Sequence, residues 1–142
     1  TPAITGNLSC IVPCDVDMDG DIDLFVGARS VPGHYGLIPS SFIMLNDGNG
    51  GWINATTEEI GKLGMVTGAV WSDIDKDGDQ DLIIVGDWMP ITIFENSPAG
   101  LRRRGFVKGS HGWWSSIIKC DLDNDGDDDF VLGNWGLNSR KR

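Results

Sequence analysis

Asp73-Ile74-Asp75-Lys76-Asp77-Gly78-Asp79-Gln80-Asp81 places an aspartate at every odd position and a glycine at the sixth. An apolar run, Gly68-Ala69-Val70-Trp71, leads into it. Another, Leu82-Ile83-Ile84-Val85-Gly86, follows it. The same register returns at Asp15-Val16-Asp17-Met18-Asp19-Gly20-Asp21-Ile22-Asp23 and at Asp121-Leu122-Asp123-Asn124-Asp125-Gly126-Asp127-Asp128-Asp129. Alternating carboxylates on a tight turn converge on one side, where they supply the oxygens a hard divalent cation needs, and the glycine permits the reversal.

The flanks decide the local fold. Before each loop stands a short run, 10–14, 68–72 or 116–120. After each comes Leu24-Phe25-Val26-Gly27, Leu82-Ile83-Ile84-Val85-Gly86 or Phe130-Val131-Leu132-Gly133. Short runs rich in Val, Ile and Phe and bounded by Gly and Asp predict strands, so each acidic loop closes a β-hairpin. An EF-hand is excluded. Its twelfth place needs a bidentate glutamate, and here that place holds Val26, Ile84 or Leu132. The ninth carboxylate, Asp23, Asp81 or Asp129, is expected to complete the shell, with a backbone carbonyl from Asp21, Asp79 or Asp127.

The loops begin at 15, 73 and 121, and the repeat settles the architecture. In the first repeat a Gly/Pro/Ser-rich linker over 28–41 precedes a third strand at 42–45. The turn Asn46-Asp47-Gly48-Asn49-Gly50-Gly51 follows, then a fourth strand over 52–57. The segment 58–65 has room for one helical turn. The second repeat offers a third strand at 91–94, a loop from 95 to 104 and a weak fourth strand at 106–108. The third repeat offers two strands. Four antiparallel strands per unit predict an all-β chain of propeller blades, about two and a half of them. The expected organisation is a single repeat region over 1–142, with blade 1 at 1–64, blade 2 at 65–111 and a partial blade 3 at 112–142. Such a fragment leaves sheet edges open. Its completion would come from the rest of a longer propeller or from other copies in head-to-tail contact, giving a ring or a filament.

The formal charge is −10, and the three loops carry sixteen of the twenty-one acidic residues. Three divalent ions would bring it to −4. That acidity argues against a nucleic-acid partner, which needs a basic surface. Arg102-Arg103-Arg104 and Arg140-Lys141-Arg142 are expected to be a solvated loop and a tail. No apolar run approaches membrane-spanning length, so membrane insertion is not expected. Cys10 and Cys14 lie four residues apart on one predicted strand, roughly 13 Å, too far to bridge. All three cysteines, Cys120 included, are expected to be free and partly buried, the alternative being a Cys14–Cys120 bridge, which would need those two strands side by side. Asn7-Leu8-Ser9 and Asn54-Ala55-Thr56 fit the N-glycosylation pattern, making Asn7 and Asn54 candidate acceptors.

The pattern D-x-D-x-D-G-D-x-D followed by an apolar run and glycine resembles the FG-GAP/VCBS repeats of integrin-like β-propellers, over nearly all of the chain. Three further segments are similar to the bacterial VCBS proteins associated with ASPIC/UnbV domains. They are Gly112-Trp113-Trp114-Ser115-Ser116, Gly133-Asn134-Trp135-Gly136-Leu137-Asn138-Ser139 and Gly86-Asp87-Trp88-Met89-Pro90-Ile91-Thr92-Ile93-Phe94. The resemblance implies one Ca²⁺ per loop, three in all. The side-chain ligands it implies are Asp15, Asp17, Asp19 and Asp23, then Asp73, Asp75, Asp77 and Asp81, and finally Asp121, Asp123, Asp125 and Asp129. It also implies an extracellular or cell-surface setting and a structural role for the calcium.

Six tryptophans remain. Trp71, Trp113 and Trp114 enter predicted inner strands and are expected to pack between blades. Trp88 and Trp135 follow second strands at matching positions and are the candidates for stacking on a sugar ring. His34-Tyr35 sits in a Gly/Pro-rich loop, and neither His34 nor His111 has a partner at zinc spacing. No nucleophile motif or phosphate-cradling loop is present, so catalysis is not expected. The reading is a non-catalytic, calcium-binding propeller segment for adhesion, scaffolding or self-assembly. The alternatives are a carbohydrate-binding propeller and a fragment of a polysaccharide-degrading enzyme.

Overall fold

In the computed structural model, residues 6–136 are described. The tail 140–142 and the end of the Gly133–Ser139 motif lie outside them. Ten strands and one helical turn follow in order: β1 (Asn7–Cys14), β2 (Asp23–Ser30), β3 (Phe42–Asn46), β4 (Trp52–Asn54), α1 (Glu58–Gly61), β5 (Met65–Ser72), β6 (Asp81–Met89), β7 (Thr92–Glu95), β8 (Arg102–Phe106), β9 (Gly112–Cys120) and β10 (Asp129–Asn134). The fold is all-β, built of partial propeller blades. β1 to β4 form one antiparallel meander, β5 to β8 a second, and β9 with β10 the hairpin of a third.

The three hairpins share one register. The residue before each loop pairs with the ninth loop residue: Cys14 with Asp23, Ser72 with Asp81, Cys120 with Asp129. Each hairpin also slips register at its far end, near Leu8, Val66 and Gly133. Beyond its slip β6 gains another neighbour, with Asp87 opposite Trp113 and Met89 opposite Gly112 on β9. The second and third blades are thereby hydrogen-bonded into one sheet.

Blade packing follows from the two faces of a strand. On β6, Leu82 and Ile84 face the first blade, where they join Phe25, Ile43, Val66, Trp71 and Phe94. Ile83 and Val85 point the other way and pack on Ile117, with Val70, Trp114, Phe130 and Leu132 around them. A strand covered on both faces reads as an unbroken apolar run, as Leu82-Ile83-Ile84-Val85 does. β1, with one face open, alternates between exposed and half-buried positions. Burying a side chain such as Leu82 or Phe94 completely contributes about 1.5–3 kcal/mol each.

Three readings need correction. The fourth strand of the second repeat is Arg102–Phe106 and not 106–108, so Arg102-Arg103-Arg104 lies on a strand and not in a loop. β8 is an edge strand. Charged side chains suit such an edge because they discourage further pairing. Its arginines are also used: Arg103 sits over the Phe94 ring at 5.5 Å, and Arg104 lies 3.7 Å from Asp75 and 3.9 Å from Glu95. β4 stops at Asn54, because Thr57 leaves the sheet to cap α1, accepting the Ile60 N–H on its side chain. β1 and β9 start three and four residues earlier than the apolar runs suggest, since the bulges let pairing continue past them.

The three cysteines are free and half-buried. Burial, followed by the charges of Asp15 and Asp23, pushes the Cys14 thiol up to about 11.

Candidate functional site

The nine-residue loops share their internal bonding. In the second, both oxygens of Asp73 accept backbone N–H groups, Oδ1 from Asp77 at 3.1 Å and Oδ2 from Gly78 at 3.0 Å. Asp77 Oδ1 accepts the Asp79 N–H at 2.9 Å. The first loop repeats this with Asp15, Asp19, Gly20 and Asp21. In the third, Asp121 accepts from Gly126, Asp123 from Asp125, and Asp125 from Asp127. Short aspartate side chains bonding to backbone ahead of them wrap a loop without help from the rest of the fold.

That wrap has a conformational signature. The glycine at six takes φ of 95°, 99° and 90° in the three loops, and the fourth residue takes φ of 61°, 63° and 60°. Those fourth residues are Met18, Lys76 and Asn124, of which only asparagine visits the left-handed region readily. For the others the conformation costs about 1–2 kcal/mol. The same left-handed conformation on three unlike residues shows that the loop, not the side chain, sets the backbone.

The wrap gathers carboxylates. Oxygens of Asp15, Asp17 and Asp19 lie within 4.8 Å of one another, as do those of Asp73, Asp75 and Asp77, and those of Asp121, Asp123 and Asp129. Each group could hold a metal ion. The donors are all carboxylate oxygens, which suits a hard divalent cation. Like charges this close disfavour full ionisation unless a cation sits among them. Accordingly the Asp17 carboxyl is held above the usual carboxylate range, by desolvation first and then by Asp19 and Asp23.

The ninth aspartates have a further task. Asp23 and Asp81 are fully buried. Asp23 accepts the Val16 N–H on one oxygen and the Asn46 N–H on the other, both at 2.8 Å. Asp81 repeats this with Ile74 at 3.2 Å and Asn96 at 2.8 Å. Each carboxylate thus ties its loop to the end of the third strand of its blade. Burial raises the Asp81 carboxyl, with Asp75 and Asp77 adding to it, against the lowering pull of the two N–H bonds. Asp129 is half-buried and accepts the Leu122 N–H at 2.9 Å. In the third loop the ninth carboxylate is in the close group and Asp125 is not. In the first two loops the fifth is in and the ninth is not.

The seventh aspartates stand outside all three groups. Lys76 of the second loop reaches Asp127 of the third at 2.6 Å, and Lys119 holds Asp128 at 3.0 Å. Asp128 also accepts the Ser72 hydroxyl at 2.8 Å. Lys119 and Ser72 together hold the Asp128 carboxyl below its ordinary range. Adjacent loops are therefore stitched to one another as well as wrapped individually.

The tryptophan candidates lie at the other end of the blades, because the acidic loops join first strands to second, Trp88 stands in the last residues of β6 and Trp135 directly follows β10. The structure brings them together through a third residue. Trp113 lies 5.3 Å from Trp88 and stacks on Trp135 at 5.5 Å, with 18° between the rings. Tyr35 meets Trp88 edge-on at 5.7 Å. Trp113 therefore joins the row instead of disappearing between blades. Trp71 and Trp114 do pack inside, donating to the carbonyls of Val12 and Ser110. Beside the row, Arg29 bonds Asp87 at 2.9 Å, and the Tyr35 hydroxyl donates to the same carboxylate at 2.9 Å. Arg29, Asp87 and Trp113 were not legible as site residues, since only the fold joins residues so far apart in the chain. His34 stays outside the row, with Nδ1 at 3.2 Å from the Pro32 carbonyl. Asn7 and Asn54 are both exposed, at the start of β1 and the end of β4.

A family model described as an FG-GAP-like repeat matches residues 15–84 and, overlapping it, residues 73–132. Each match runs from the start of one acidic loop, across the next, and into the strand that directly follows it, ending within β6 or β10. No curated protein shows significant similarity to the chain.

Proposed function

The chain belongs to the FG-GAP-like repeat family, and from that premise we propose that it is a non-catalytic, calcium-bound propeller segment that presents its surfaces for adhesion, scaffolding or assembly. The observation that carries the reading is the threefold recurrence of one carboxylate group on one loop geometry. Calcium suits these loops best, because it accepts many oxygens in flexible geometry, whereas zinc favours nitrogen and sulfur. Asp15, Asp17 and Asp19, then Asp73, Asp75 and Asp77, and then Asp121, Asp123 and Asp129 would hold the three ions. Bound calcium would neutralise each group and lock its hairpin. The loop carboxylates are engaged in that role and in bonds to backbone, which supports a non-enzymatic reading.

An extracellular or cell-surface setting fits a protein that depends on abundant calcium, and exposed Asn7 and Asn54 would be its glycosylation acceptors. No described helix is long and apolar enough to cross a membrane. The finer likeness to the ASPIC/UnbV-associated group rests on the tryptophan segments at 86–94, 112–116 and 133–139. Among the described residues β10 pairs only with β9. Its outer edge would take further blades of a longer polypeptide or a strand of another copy.

The test is thermal unfolding in calcium and in EDTA, combined with light scattering. Calcium is expected to raise the melting temperature, and an identical melt in both buffers would refute the assignment. A ring or filament with calcium bound would identify other copies as the partner, and a stable monomer would count against self-assembly.

A further inference from the structure

We propose that the aromatic row at the far ends of the second strands is a binding site for a neutral glycan, with Trp88 and Trp135 as stacking platforms and Arg29 as the polar rim. This goes beyond the cation reading and does not depend on it.

Three large aromatic residues lie in one contiguous row while more than half exposed: Tyr35 at 53%, Trp88 at 56% and Trp135 at 53%. Folded chains seldom leave such a patch open without a use for it. Core packing does not account for Trp88. It is the bulged residue between the Asp87–Trp113 and Met89–Gly112 pairs, with φ at 56°, a left-handed conformation that bulky residues avoid. The bulge turns its indole out of the ladder towards solvent. Bulges that re-aim a side chain gather near functional sites. An indole both strained and exposed stabilises the core little, and holding it there fits a ligand platform.

The row is also fixed in advance. Trp88 is held between Tyr35 and Trp113, and Trp135 stacks on Trp113 while its backbone N–H donates to the Trp113 carbonyl at 3.0 Å. Rings whose freedom is already lost cost little to engage.

Charge selects the ligand. Arg29 and Asp87 cancel each other, and the Asp87 side chain is only 1% exposed while that of Arg29 is 46% exposed. Asp87 therefore serves to orient Arg29, and the guanidinium's outer edge is left to donate to a ligand. With no net charge at the row and −10 on the whole chain, an acidic polymer would be repelled. A cation would meet a carboxylate already paired. What remains is a neutral molecule with apolar faces and many hydroxyls. A pyranose ring has that form, with an apolar face to lie on an indole and hydroxyls to accept from a guanidinium.

The test is titration of the calcium-loaded chain with cellohexaose, xylohexaose, laminarihexaose, mannohexaose and decaproline, followed by tryptophan fluorescence. At least one hexasaccharide is expected to bind saturably. Trp88→Ala and Trp135→Ala should each weaken it about tenfold, and Trp52→Ala, on β4 away from the row, should not. Melting curves of each variant separate lost binding from lost fold. If Trp88→Ala unfolds, Trp135→Ala carries the test. Failure of every hexasaccharide to bind overturns the proposal, as does affinity unchanged in both row variants. Binding of decaproline alone also overturns it, since the row would then be a peptide site.

Discussion

The second and third acidic loops share a sequence pattern but not a degree of attachment. In the second, the ninth carboxylate is sealed in the fold, and Asn96 caps it from the end of β7. Asn96 also reaches across to the first blade, where its side-chain amide donates to the Val16 carbonyl at 2.8 Å. In the third loop, Asp129 is half-buried, bonds only Leu122 by hydrogen bond among the described residues, and turns towards Asp121 and Asp123. One aspartate position can therefore be a strut of the blade or a member of the cation group. Whether a third strand stands beside it decides which.

The largest expected effect separates those roles. Asp81→Ala leaves the Ile74 and Asn96 N–H groups without their acceptor and should cost about 2–4 kcal/mol, whereas Asp129→Ala should cost about 1 kcal/mol. Urea unfolding of both measures the gap, and equal losses would break the comparison. Next is the cation term. At saturating calcium a site contributes about 2.7 kcal/mol when the ion stands at a hundredfold its dissociation constant. Asp77→Ala should remove that gain from the second blade. Asp79→Ala, whose carboxylate is outside the close group, should leave it, as melts in calcium and EDTA will show. Asn96→Ala should cost about 1–2 kcal/mol, because it removes the bond to Val16 while the backbone cap on Asp81 stays.

The smallest effect lies in the stitching between loops. The lowered carboxyl of Asp128 contributes stability above the ordinary carboxylate range and loses it as pH falls through its folded value. The side chain is 37% exposed, so solvent screening keeps the contribution below about 0.5 kcal/mol. Asp128→Asn should show that deficit at neutral pH and none in acid. A deficit that persists in acid would assign the effect to packing.

Local spacing made the loops and hairpins legible. Ligand alternation, the sixth glycine and the flanking apolar runs all lie within stretches such as 68–86, and each has a direct physical meaning. The left-handed fourth position was not legible, because Met18 and Lys76 carry no mark of it. β8 was hidden by its arginines, since an edge strand with one wet face needs few apolar residues. The ninth aspartate's bond to the third strand and the Tyr35–Trp88–Trp113–Trp135 row depend on residues that only the fold brings together. Trp88 and Trp135 could be singled out by their matching places in the repeat. Trp113 between them could not, because it precedes an apolar run like any core residue.

Isothermal titration of metal-free protein with calcium tests the central claim most directly. Three ions per chain are expected, falling to two in Asp77→Ala and remaining three in Asp79→Ala. Absence of binding, or a stoichiometry that Asp77→Ala leaves unchanged, would contradict the account.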